Sequence, residues 1–145
     1  MIEYGLHRAR STLDTVSADA IIQQPRSKGA QEMIVVNVES PEAERTTYVA
    51  HRGGIARMLL TSHFMKSMEF FAWAVVPPGN TLEEHVDAVE EVYFMLSGEG
   101  SMKVGDEERA VKTWDAIWLP AGVPHAFTNT GKDNAFIAVV AAYPR

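Results

Sequence analysis

The chain has 145 residues, 46% of them hydrophobic and 22% charged, a balance that fits one globular domain with an ordinary hydrophobic core. A formal net charge of −6, with no run of five basic residues, argues against a nucleic-acid partner. The longest apolar stretch, 135–143, is far too short to cross a bilayer, and the absence of cysteine excludes disulfides, thiolate metal sites, iron–sulfur clusters and thiol nucleophiles.

Residues 1–32 are mixed polar and apolar without a sustained period and read as an irregular N-terminal arm with one short helix near 16–22. The opening MIEYGLHRARSTLD lacks the apolar core of a secretory signal, so a cytoplasmic location is expected. From residue 33 the pattern becomes β. A branched run at 33–38 ends at Glu39, Ser40 and Pro41, and runs at 46–50 and 55–60 are separated by the turn sequence His51, Arg52, Gly53, Gly54. The segment 68–76 (MEFFAWAVV) is apolar on both faces, which predicts a strand covered on both sides. Pro77, Pro78 and Gly79 stop it. Further strands are predicted at 91–96, at 101–104 and 109–113 as a hairpin around Gly105, and at 116–119, 125–128 and 136–142. Many short strands with Gly/Pro turns and no long helical period predict an all-β, antiparallel barrel or sandwich over residues 33–145, one domain overall.

Chemistry concentrates in 79–98, GNTLEEHVDAVEEVYFMLSG. Residues two apart on a strand face the same way, so His85 and Asp87 share a face, and Glu91 rejoins it if 88–90 form a tight connection. Glu90 has the opposite parity and points outward; Glu83 shares the parity of His85 but lies at the strand entrance. A closed coordination shell needs a contribution from a second strand. The loop Pro120, Ala121, Gly122, Val123, Pro124 delivers His125, with Phe127 and Asn129 on its face. The candidate metal ligands are therefore His85, Asp87, Glu91 and His125.

These two stretches resemble the paired motifs of the cupin superfamily. Gly79, His85, Glu91 and Gly98 match the first motif in spacing, and Pro120, Gly122, His125 and Asn129 match the second. The resemblance implies a double-stranded β-helix, or jelly-roll barrel, with one divalent transition-metal ion inside. There are two departures: Asp87 stands where the first motif has its second histidine, and Trp114 stands where the second motif begins with glycine. A shell of two imidazoles and two carboxylates favours Fe²⁺ or Mn²⁺, with Zn²⁺ and Ni²⁺ as alternatives. Its two carboxylates formally neutralise the ion and weaken it as a Lewis acid.

The expected activity is that of a metal-dependent enzyme on a small oxygen-bearing molecule. Dioxygenase-type oxidoreductase chemistry ranks first, on the two-histidine, one-carboxylate subset. Isomerase, decarboxylase or lyase chemistry is the alternative, with a non-catalytic, sugar-like small-ligand binding module as the reading from another class. Tyr93 is the candidate proton donor. Arg57, Trp73, Met95 and Phe127 are candidate substrate contacts, although packing is the first reading of the last three. The outer face of 68–76 needs a cover, either the N-terminal arm or a second subunit, and with the resemblance a homodimer ranks first.

Overall fold

The computed structural model describes residues 33–145. The arm at 1–32 and its short helix near 16–22 lie outside the described residues. The first described segment departs from expectation. Residues 33–38 form no strand, and one tether holds their end: Val38 O accepts from Arg57 Nη1 at 2.6 Å. A short helix α1 (Pro41–Glu44) follows, where the sequence suggested only a stop. Ser40 caps it, accepting from the Ala43 N–H at 3.2 Å, and Pro41 occupies the first turn, where its missing donor costs nothing.

Ten strands follow: β1 (Tyr48–Ala50), β2 (Gly54–Thr61), β3 (Phe70–Val76), β4 (Thr81–His85), β5 (Glu90–Ser97), β6 (Glu99–Val104), β7 (Glu107–Lys112), β8 (Ala116–Leu119), β9 (His125–Asn129) and β10 (Ala135–Ala142). They make a six-stranded sheet, β1-β2-β3-β10-β5-β8, and a four-stranded sheet, β4-β9-β6-β7; among the described residues every strand pairing is antiparallel. No described helix is long and apolar enough to cross a membrane.

Period-two alternation builds the core between the sheets. Ala72, Ala74 and Val76 of β3, Tyr93 and Met95 of β5, Phe127 of β9, and Ala135, Ile137 and Val139 of β10 all join one buried cluster. The strand expected over 68–76 runs from Phe70. Alternate residues of β3 enter the core, while Trp73 faces the other way and meets Phe136 of β10, ring centroids 5.7 Å apart. One end of the barrel is lined by small residues, Ala50, Ala56, Ala72 and Ala74, and this is where space opens inside.

Trp114 explains its own departure from the motif. It has φ +76, the left-handed region that a side chain penalises and glycine does not. Its ring is 70% exposed and makes one tilted contact with Phe94, centroids 6.0 Å apart. Trp114→Gly is predicted to stabilise the fold by about 1 kcal/mol in urea unfolding. A loss of stability would show that the Phe94 contact outweighs the backbone strain.

Candidate metal centre

Three backbone features converge at the alanine-lined end. β4 and β9 are neighbours, and His85 and His125 are direct cross-strand partners. Glu91 is the second residue of β5, in the facing sheet, and points inward, as do Tyr93 and Met95 behind it. Asp87 does not lie on a strand: it sits in the connection after β4, and its carbonyl accepts from the Gly122 N–H at 2.8 Å. Gly122, at φ +75, makes the turn that brings this donor round. The simple parity that put His85 and Asp87 on one strand face is corrected here. A register irregularity between Leu82 and His85 leaves both Glu83 and Glu84 exposed and turns His85 inward.

One potential ligand atom from each of His85, Asp87, Glu91 and His125 falls within 4.8 Å of every other. His125 Nε2 is 3.4 Å from Glu91 Oε2 and 3.6 Å from Asp87 Oδ2, and His85 Nε2 is 3.4 Å from Asp87 Oδ2. Backbone carbonyls fix both rings. His85 Nδ1 lies 2.7 Å from Glu83 O and His125 Nδ1 lies 3.1 Å from Val123 O. A carbonyl can only accept, so each Nδ1 carries the proton and each Nε2 presents a lone pair to the centre.

The residues present fit a divalent cation. His85 Nε2, His125 Nε2 and Glu91 Oε2 are buried without any hydrogen-bond partner. Buried polar atoms are rarely left so, because each costs about 1–3 kcal/mol of desolvation. Three of them converging with a carboxylate form the donor set that a hard or borderline cation completes. Without an ion, a proton on His85 Nε2 would hold the facing Asp87 carboxyl below the usual carboxylate range, against its partial burial; a cation would take the place of that proton.

A cavity of about 240 Å³ opens beside this cluster, with Asp87, Glu91, Tyr93, Tyr48 and His51 among its lining residues. Burial, then the Glu91 and Asp87 charges, raise both phenols: Tyr48 is pushed up to about 12 and Tyr93 well above the ordinary tyrosine range. Both remain hydrogen-bond donors. His51, to which sequence reasoning gave no partner, stacks on His85 with ring centroids 3.3 Å apart and planes at 7°. Burial, then the adjoining His85, lower its pKa to about 4. The signal for it lay in the turn. His51 and Arg52 have φ 43 and φ 62, values that usually select Asn or Gly, so a histidine there stands against backbone preference. Gly53 is obligatory beside it, since a Cβ would lie 1.6 Å from Thr81 O.

The other candidate contacts are placed elsewhere. Arg57 turns away from the cavity, donating to Thr47 Oγ1 at 3.1 Å and to Val38 O, with its guanidinium 5.7 Å from the Trp73 ring centre. Residues alternate across a strand, and Arg57 and Trp73 are register partners on the outer side of β2 and β3. Met95 and Phe127 point inward, but into the packed core rather than the cavity wall. Of the five, Tyr93 alone lines the cavity.

Fold and site together define a small jelly-roll barrel with a metal-binding cluster of histidine, aspartate and glutamate, consistent with a catalytic, metal-dependent protein. The cupin-domain family model matches residues 72–141. An uncharacterised protein of Methanocaldococcus jannaschii is 33% identical over 103 residues, covering 68% of this chain and 82% of that one. The oxalate-binding protein of Thermotoga maritima is 30% identical over 96 residues, covering 61% of this chain and 79% of its own length. A Thermotoga maritima crystal structure described as a predicted oxalate decarboxylase superposes with a TM-score of 0.63 at 24% identity, covering 77% of this chain and all of that one. The chain belongs to the cupin superfamily, as a small single-domain member.

Proposed function

We propose that this chain is a metal-dependent enzyme on which a small carboxylate-bearing molecule is decarboxylated, isomerised or cleaved without oxygen. The observation that carries the reading is the set of three partnerless buried ligand atoms beside a mostly apolar cavity. His85, Asp87, Glu91 and His125 would hold the ion, Mn²⁺ or Fe²⁺ before Zn²⁺ or Ni²⁺ because half the donors are carboxylate oxygens. A bound divalent ion supplies Lewis-acid polarisation of chelating oxygens. The remaining roles belong to the chain. Tyr93 and Tyr48, held protonated, donate hydrogen bonds to oxygen where negative charge develops. The hydrocarbon walls exclude water from that charge.

Two considerations favour non-oxidative chemistry over the oxygenation ranked first from the sequence. Two carboxylates in the cluster suit charge-neutral chelation, and the Thermotoga relatives carry oxalate, not oxygen chemistry, in their descriptions. The test is a reconstituted preparation assayed by elemental analysis, an oxygen electrode and carbon dioxide release on a panel of small carboxylates. About one equivalent of metal with turnover and no oxygen uptake is expected. Oxygen consumed in step with substrate overturns the non-oxidative reading. Less than about a tenth of an equivalent overturns the metal itself and leaves a small-ligand binding module.

A second copy is our reading of what covers the outer face, where Val92 and Trp118 are exposed register partners in the same sheet as the outward-facing Trp73. Sedimentation velocity at micromolar concentration is expected to show a dimer; a 16.0 kDa species alone overturns it.

A further inference from the structure

Resting on the chelation reading above, we infer that the ligand of this cavity is a singly charged chelating carboxylate with a short apolar body, of the 2-oxo or 2-hydroxy monocarboxylate class, and not a dicarboxylate dianion. The argument is one of charge and volume. Asp87 and Glu91 both line the cavity, so a divalent ion among them leaves no net positive charge to attract a second anionic group. The other polar groups of the wall are two phenols and one imidazole, Tyr48, Tyr93 and His51. Among the described residues, no lysine or arginine lines the cavity.

Among the described residues, the two arginines flanking the wall residues His51 and Met58 are committed elsewhere. Arg52, beside His51 in the turn, is exposed and pairs with Glu83 at 3.4 Å. Arg57 is bound on the outer face to Val38 O and Thr47 Oγ1. The rest of the cavity wall is hydrocarbon, including Met58, Phe70, Ala72, Ile137 and Val139. Pressed against that wall, the outward carboxylate oxygens of a chelated dianion would lose their hydration with no partner in return. A methyl or ethyl group would be welcome there. The volume, about 240 Å³, equals roughly eight waters of liquid and limits the ligand to a similar number of non-hydrogen atoms.

The test uses the full chain loaded with Mn²⁺ and titrated by calorimetry with oxalate, pyruvate, 2-oxobutanoate and 2-oxopentanoate, with free Mn²⁺ as the control. In water the dianion holds the ion more tightly, because it brings twice the charge. On the protein the order is expected to invert, with 2-oxobutanoate at least tenfold tighter than oxalate. Each methylene from pyruvate to 2-oxopentanoate should add about fourfold until the cavity is full. Met58→Ala should move that optimum to a longer chain. An oxalate advantage on the protein as large as in water overturns this inference while leaving the metal reading intact. A chain that retains no Mn²⁺ overturns both, and the elemental analysis separates the two failures.

Discussion

Glu91→Ala is expected to purify without metal and, compared ion-free, to unfold at the same denaturant concentration as the parent chain or higher. Glu91 is buried, and its Oε2 accepts no hydrogen bond. Without an ion it is a desolvated carboxylate whose near neighbour is His125 Nε2 at 3.4 Å, so its removal relieves a cost as well as deleting a contact. With an ion, the same deletion removes a charged ligand, and affinity should fall by at least about a hundredfold. The readout is therefore a difference. The parent chain should gain about 4 kcal/mol when the ion is present at a thousand times its dissociation constant, and the variant should gain almost none. His125→Ala should lose metal equally but behave worse without it. That change empties a buried site, frees the Val123 carbonyl from its imidazole donor and isolates the Glu91 carboxylate. Unchanged metal content in either variant removes that residue from the shell.

Sequence parity put Asp87 in the cluster where the structure finds it, but on a strand face it does not occupy, and the reason is the range of the rule being used. Alternation is a property of an unbroken strand, and β9 is one: His125, Phe127 and Asn129 are buried at every second position. β5 is likewise regular, so Glu91, Tyr93 and Met95 follow from parity. β4 is broken by its irregularity, and no alternation survives between Leu82 and His85. Asp87 lies beyond the last strand residue, where a hydrogen bond from Gly122, distant in sequence, decides its position. Register in the strands was thus legible, and the loop conformation was not.

The same distinction separates the correct from the displaced contacts. Arg57 stood out as a charge in an apolar run, but the sequence could not say which face of β2 was the inner one. The structure puts Arg57 outward, where Val38 O, Thr47 Oγ1 and the Trp73 ring satisfy it. The branched run at 33–38 has strand composition but no ladder, and a strand needs a partner as well as a propensity. His51 was missed because its role depends on a three-dimensional stack with a residue 34 positions away along the chain. Its one sequence clue was a histidine in a turn that favours glycine.

Asn129, the last residue of the second motif, shares a strand face with His125, yet its side chain is fully engaged elsewhere. The Nδ2 group donates to Val76 O and to Asp133 O, both at 2.8 Å, and Oδ1 accepts from the Gly131 N–H at 2.9 Å. It clamps the end of β9 to the end of β3 in the other sheet and to the turn before β10, so the motif's asparagine closes the barrel and lies outside the metal cluster and the cavity wall. Asn129→Ala is predicted to cost about 3 kcal/mol, since it leaves the buried Val76 carbonyl and the Gly131 N–H without partners. Asn129→Asp should be at least as damaging at neutral pH, because it keeps the acceptor for Gly131 but sets a carboxylate oxygen against two carbonyls. Urea unfolding measures the loss, and elemental analysis of the folded fraction should still find the parent's metal content. A loss under about 1 kcal/mol would remove the clamp, while a stable variant stripped of metal would move Asn129 into the site.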